Sequence, residues 1–329
     1  MSPAFIVLLI VSLFFDFLNG FHDSSNIVAT PIASHAMKPR RVLWLAAAME
    51  FAGPFLFGVA VAETIGTGLT NPDNVTMTVL NAALLAAVVW NLITWWFGIP
   101  SSSSHALIGG LVGAVIVSAG IEAIDPAGLI KVTTALLLSP ILGIVVGYFL
   151  MQLTLFLARG ATPKVNGFFR KSQIFTTAGL ALSHGANDAQ KTMGIITLGL
   201  LTEGAIDEFV VPTWVIFASA SMIALGTAMG GWRLIKTLGY RIYKIRPIHG
   251  FVSQISGASI ILGAAIWGAP VSTTQVMSSS IMGAGSAERL SKVRWFIGYE
   301  MVVAWVLTIP ISAVLAGIVY LLLTLIFPS

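Results

Sequence analysis

The sequence predicts an all-α integral membrane protein of two inverted-topology repeats, with broken helices, re-entrant helical hairpins and about 10 to 12 membrane segments. Three observations carry this prediction. Of 329 residues, 57% are hydrophobic and only 9% are charged, with a mean hydropathy of +0.92; a soluble domain is roughly a quarter charged, so the chain lacks the polar surface to coat a globule in water. Fifteen of the 17 Lys and Arg residues fall in four clusters beside apolar runs, which is how membrane topology is written. Two polar motifs of the first half recur in the second, in the same order.

The elements follow from the charges. Lys38, Arg40 and Arg41, then Arg159, Lys164, Arg170 and Lys171, then Arg233, Lys236, Arg241, Lys244 and Arg246, and last Arg289, Lys292 and Arg294 mark cytoplasmic segments by the positive-inside rule. Glu63 to Asp73, Glu122 to Asp125 and Glu203 to Glu208 carry acids and face out. Residues 4 to 36 therefore run inward and 42 to 62 return; 79 to 120 leave the outside and come back, and 131 to 158 descend. The second half inverts this: 172 to 201 run outward, 211 to 232 descend, 248 to 285 begin and end inside, and 293 to 326 exit. Repeats at 1–158 and 172–329, joined by a cytoplasmic linker at 159–171, place both termini outside. Met1 to Phe15 has no preceding base and no small-residue cleavage site, and reads as the first helix rather than a cleaved signal peptide. The run between Asp73 and Glu122 holds no charge and is long enough for two elements. Cysteine is absent, which excludes disulfides and thiolate metal centres. A nucleic-acid partner is excluded by where the bases sit; the lipid bilayer is the surface they address.

Asn19-Gly20-Phe21-His22-Asp23-Ser24-Ser25-Asn26 interrupts an apolar stretch, and His184-Gly185-Ala186-Asn187-Asp188-Ala189-Gln190-Lys191 does so again at an offset of 165. Gly98-Ile99-Pro100-Ser101-Ser102-Ser103-Ser104-His105 is answered by Gly268-Ala269-Pro270-Val271-Ser272-Thr273-Thr274-Gln275 at an offset of 170. Polar breaks at matching positions of two inverted halves point to a secondary transporter with its site at the midplane. Pro beside Ser or Thr reads as the start of a half-helix, whose free N–H groups and positive dipole end favour an anion. Ser102, Ser103, Ser104, Ser272, Thr273 and Thr274, with Asn26, Asn187 and Lys191, are thus the candidate substrate-binding residues, for a tetrahedral oxyanion. Hydroxyls that merely bond the preceding turn or let helices pack closely are the competing reading.

Asp23 and Asp188 would repel such an anion unless a cation neutralises them. Their carboxylates, with Asn26, Asn187 and carbonyls freed at a helix break, make a hard-oxygen set suited to sodium, or else they take up protons. Asp16, two turns before Asp23, extends a cation path, and Lys191 pairs with Asp188 or meets the anion. His22, His105 and His184 border the motifs without metal-ligand spacing. Glu50 and Glu300 are expected inside the membrane as gating or proton-sensitive groups. Together these leave six membrane-embedded charges, Asp16, Asp23, Glu50, Asp188, Lys191 and Glu300, five of them acids. An excess of acid around an anion site implies a co-transported cation.

Asn19-Gly20-Phe21-His22-Asp23 with Asn26, and Gly185-Ala186-Asn187-Asp188-Ala189-Gln190-Lys191-Thr192-Met193-Gly194, resemble the paired signatures of the inorganic phosphate transporter (PiT) family. The resemblance spans essentially the whole chain, including Pro100 with its serines and Pro270 with Ser272, Thr273 and Thr274. It implies a low-affinity phosphate permease of the plasma membrane, driven by sodium or protons and assembled as a homodimer, with no other cofactor. It also implies that Asp23, Asn26, Asn187 and Asp188 serve cation and phosphate binding. Ser24-Ser25 stands where small alanines are common, and His22 is the counterpart of Asn187; the choice between sodium and proton stays open. Sulfate has the same shape as phosphate, and the hydroxyl motifs do not separate the two. An intramembrane hydrolase built on Ser259 is disfavoured because no His follows it. A channel is disfavoured by the charged midplane motifs.

Overall fold

The computed structural model describes residues 1–71 and 74–326; the part of the acidic outer segment at Asp73 lies outside them. Twelve α-helices run in order among the described residues: α1 (Pro3–Ala33), α2 (Pro39–Phe57), α3 (Ala60–Thr67), α4 (Met77–Phe97), α5 (Ser103–Ala119), α6 (Pro126–Leu157), α7 (Val165–Thr202), α8 (Thr213–Met229), α9 (Trp232–Lys236), α10 (Pro247–Ile266), α11 (Thr273–Glu288) and α12 (Trp295–Ile326). A single bridge between Thr70 and Ile124 is the only β pairing among them. The chain is a multi-pass membrane protein. Five helices are long and apolar enough to cross a bilayer, and seven if α2 with α3 and α8 with its continuation to Arg241 each count as one bent span.

Helix starts are chemically marked. Ser2, Thr76, Ser102, Asp125 and Ser272 each cap the helix that follows by accepting from a first-turn N–H. Pro begins α1, α2, α6 and α10, where its missing N–H costs nothing. Ser2 also donates its N–H to Glu203 Oε2 at 2.8 Å, tying the start of α1 to the end of α7; this bonding, with that from the Ser2 hydroxyl, holds the Glu203 carboxyl below its usual range.

The lengths pair across the chain: α4 and α10 have 21 and 20 residues, α5 and α11 have 17 and 16, and α6 and α12 have 32 each. The packing pairs likewise. α5 lies on α12 while α11 lies on α6, and α2 lies on α7 while α8 lies on α1. Each hairpin helix thus rests on the last long helix of the opposite half, so the halves interlock instead of standing side by side. α6 and α12 turn most of their surface outward, as expected of lipid-facing helices. Part of the expected 159–171 linker is helical, because α7 begins at Val165 and Phe168 and Phe169 pack on Phe251 of α10.

Candidate functional site

The two Asp motifs do not break their helices, contrary to the sequence expectation. α1 and α7 run unbroken through Asn19–Asn26 and His184–Lys191, so no backbone carbonyls are freed there for a cation. The motif glycines serve close packing instead. A Cβ on Gly20 would lie 2.0 Å from the Ile223 carbonyl oxygen of α8, and one on Gly185 would lie 2.2 Å from the Glu50 oxygen of α2. These are backbone-to-backbone contacts that only glycine permits.

The breaks lie one helix further on. α2 and α3 meet at 78° and α8 and its continuation at 58°, where Gly58 and Gly230 take φ of 80° and 73°, values that favour glycine. Bilayer-embedded backbone must find partners inside the protein, and the motif helices supply them. Gln190 Nε2 donates to the Gly58 carbonyl at 2.6 Å and its Oε1 accepts from the Val61 N–H at 2.8 Å. Ser24 Oγ accepts from the Gly231 N–H at 2.8 Å. Sequence reasoning passed over both residues; their position inside the motifs was the available signal.

Both hydroxyl motifs start helices as expected, α5 after Gly98-Ile99-Pro100 and α11 after Gly268-Ala269-Pro270, and the two starts meet. Ser104 Oγ donates to the Val271 carbonyl at 3.1 Å. Ser103 Oγ lies 2.7 Å from Asn19 Oδ1 and 3.2 Å from Asp23 Oδ2. From the other side Thr274 Oγ1 donates to Asp23 Oδ1 at 3.0 Å, and Thr273 Oγ1 lies 3.0 Å from Asp188 Oδ2 and 3.4 Å from Asp23 Oδ2. Ser102 and Ser272 stay at the caps, accepting from the N–H groups of His105 and Gln275 at 3.1 and 3.3 Å. Asn26 Nδ2 donates to Thr274 Oγ1 at 3.1 Å and Asn187 Nδ2 to the Ala269 carbonyl at 3.3 Å; the Oδ1 of each is buried with no hydrogen-bond donor. All these side chains are at most 4% exposed, so the site is closed to solvent.

Two histidines join the carboxylates. His22 Nδ1 is 2.8 Å from Asp23 Oδ1. His184 bridges, with Nδ1 2.5 Å from Glu50 Oε1 and Nε2 3.2 Å from Asp188 Oδ2 and 4.0 Å from Asp23 Oδ2. Asp23, His184 and Asp188 each offer an atom within 4.8 Å of the others, a spacing that suits one metal ion. Their separation along the chain hid this, because Asp23 comes from α1 and the others from α7. Glu50 is fully buried as expected, but its partner was not legible from the motif. His105 lies apart, against Gln275.

Lys191 Nζ bonds Asp188 Oδ1, Ser104 Oγ at 2.6 Å and the Val271 carbonyl at 3.0 Å. An ammonium has three donors, and all three are engaged with protein, leaving none for an anion in this arrangement. Two expected residues stand outside the cluster. Asp16 is buried beside Thr192 and Ser219 rather than at Asp23. Glu300 is not buried: its side chain is 47% exposed and 3.7 Å from the guanidinium of Arg241. α12 turns this face outward near the basic inner boundary, so a run that looked intramembrane by hydropathy presents its acid to a surface arginine.

The model of the phosphate transporter family matches the chain twice, over residues 19–162 and 157–316. A probable low-affinity inorganic phosphate transporter of Bacillus subtilis (strain 168) is 47% identical over 327 residues, which are 98% of this chain and 98% of that protein. One from Rhizobium meliloti (strain 1021) is 45% identical over 321 residues, 97% of this chain and 96% of its own. A solved structure titled the sodium-dependent phosphate transporter matches with a TM-score of 0.89 at 24% identity, covering 99% of this chain and 100% of that one. At that identity the likeness establishes the fold.

Proposed function

The chain belongs to the phosphate transporter family, and from that premise we propose that it imports inorganic phosphate across the plasma membrane by cation symport through alternating access. Its relatives and its fold neighbour are transporters rather than enzymes. One observation carries the reading of the site: two helix starts, α5 and α11, converge on the carboxylates of Asp23 and Asp188. First-turn N–H groups and the positive dipole end of each helix favour an oxyanion, and Ser103, Ser104, Thr273 and Thr274 ring it with hydroxyls. The carboxylates oppose that anion until a cation neutralises them, so anion and cation bind well only together, which is the thermodynamic content of coupling. Asp23, with the unpartnered Oδ1 atoms of Asn26 and Asn187, is the hard-oxygen set for sodium; the name of the fold neighbour supports sodium over the proton.

Inverted repeats at 1–158 and 172–329 are supported by the paired helix lengths and by the two matches to one family model. Because the halves interlock, the bodies that move past each other during alternating access cut across them. A site closed to solvent fits the closed intermediate that such a cycle requires. Both termini face outward in this topology.

Uptake of labelled phosphate into proteoliposomes tests the proposal, with sodium and pH gradients imposed separately and sulfate as competitor. We expect saturable accumulation driven by the sodium gradient and untouched by excess sulfate. Currents from single channels in a planar bilayer, or uptake abolished by sulfate, would overturn it.

A further inference from the structure

The offset of 165 that aligns the two Asp motifs sets Lys191 against Asn26. Both contact a hydroxyl on the same turn of opposite hairpins, Lys191 through Ser104 and Asn26 through Thr274, and these two partners are themselves related by the offset of 170. Equivalent positions therefore hold a cation in one half and a neutral amide in the other. We propose that the Lys191 ammonium is a built-in cation standing in the coupling-ion position of the second half, so that the chain couples phosphate to one sodium ion fewer than a site with Asn at both positions would.

The contacts of Lys191 are those of a bound hard cation. Its three N–H groups go to a carboxylate at Asp188, a hydroxyl at Ser104 and a backbone carbonyl at Val271, the oxygen types that also ligate alkali and alkaline-earth ions. The residue is 2% exposed, so no water screens its charge. A sodium ion added beside Asp188 Oδ1 would meet a like charge at contact distance. Asp23 has no ammonium at bonding distance; its basic neighbours are the imidazoles of His22, at 2.8 Å, and His184, at 4.0 Å. There the amide nitrogen of Asn26 is spent on Thr274, while Asn26 Oδ1 is buried without a donor, and an oxygen lone pair with no donor is what a mobile cation satisfies. A sodium site thus fits at Asp23 and not at the Asp188 Oδ1 that Lys191 holds. A fixed ammonium also cannot dissociate, so the second carboxylate stays neutralised throughout the cycle and contributes nothing to the driving force.

This inference rests on cation symport, and its test separates the two. The number of ²²Na⁺ ions bound per chain is counted on purified protein in detergent with saturating inorganic phosphate, for wild type, Lys191→Asn and Lys191→Arg. We expect the count to rise by one in Lys191→Asn and to stay at the wild-type value in Lys191→Arg. In proteoliposomes the sodium dependence of phosphate uptake should steepen from a Hill coefficient near 1 to above 1 in Lys191→Asn. An unchanged count in Lys191→Asn would overturn the assignment. Should that variant not fold, the wild-type count decides alone: one ion supports the proposal, and none or two refute it. Wild-type protein that takes up no phosphate refutes the transport reading, while the equilibrium count still reports on Lys191.

Discussion

Around Asp23 the partners are three hydroxyls and two histidines; around Asp188 they are a threonine, a histidine and an ammonium held at bonding distance. The frame beneath is the same in both halves: an unbroken polar helix, a hairpin whose second helix starts at the site, and a glycine that seats the polar helix on the bent span of the other half. The difference teaches that the backbone repeat specifies where an ion can sit, while one side chain per half specifies whether an ion has to come. Coupling chemistry in this frame can change by single substitutions without any change of fold.

The largest effect that separates the halves is loss of each carboxylate. Asp23→Asn should give folded protein whose phosphate accumulation falls by at least about 100-fold, since the proposed site of the mobile cation is gone. Asp188→Asn should fail differently. It strands the buried Lys191 charge, which costs about 3–5 kcal/mol, so the protein should lose thermal stability as well as transport. Adding Lys191→Met to Asp188→Asn should restore much of that stability. Thermal unfolding in detergent beside proteoliposome uptake checks both claims, and equal stability of the two single variants would break the comparison.

Next in size are the seating glycines. Gly20→Ala and Gly185→Ala each force a methyl onto a backbone carbonyl oxygen 2.0 and 2.2 Å away and should destabilise by about 1–3 kcal/mol or more. Gly179→Ala, also in α7 but with nothing within 4 Å, should stabilise by about 0.5–1 kcal/mol. The halves separate again in function. The carbonyl displaced by Gly185→Ala belongs to Glu50, which faces His184 at 2.5 Å, so uptake per folded molecule should fall. The one displaced by Gly20→Ala belongs to Ile223, which bears no site group, and uptake per folded molecule should hold.

Much of this was legible in the chain. Charge clusters gave the order of the helical segments, though α7 begins at Val165 and not at 172, because loops in a bilayer protein are fixed by where charge is tolerated. Pro100 and Pro270 with their hydroxyls gave the starts of α5 and α11, because helix starts have strict chemistry. The Asp motifs misled in one respect: Gly with Asn and Asp reads as a helix breaker locally, yet tertiary contacts satisfied those side chains and let the helix continue. The pairing of Glu50 with His184 was out of reach, since α2 and α7 are joined only by packing. Glu300 was misplaced because hydropathy reports depth and not which face of α12 a residue occupies.

The last contrast between the halves is at the two bends. Gln190 holds the α2–α3 bend with two hydrogen bonds, to the Gly58 carbonyl and from the Val61 N–H, whereas Ser24 holds the α8–α9 bend with one, from the Gly231 N–H. Each buried backbone group left unpaired costs about 1–3 kcal/mol, and lipid offers no replacement partner. Gln190→Ala should therefore lose about 2–6 kcal/mol and Ser24→Ala about 1–3 kcal/mol. Amide hydrogen exchange should accelerate at Val61 in the first variant and at Gly231 in the second, with the opposite bend unaffected. If neither amide responded, the bends would be set by the backbone angles of Gly58 and Gly230 alone. If both amides responded to either variant, the two bent spans would open as one unit, and the site's two halves would be mechanically joined despite their different charges.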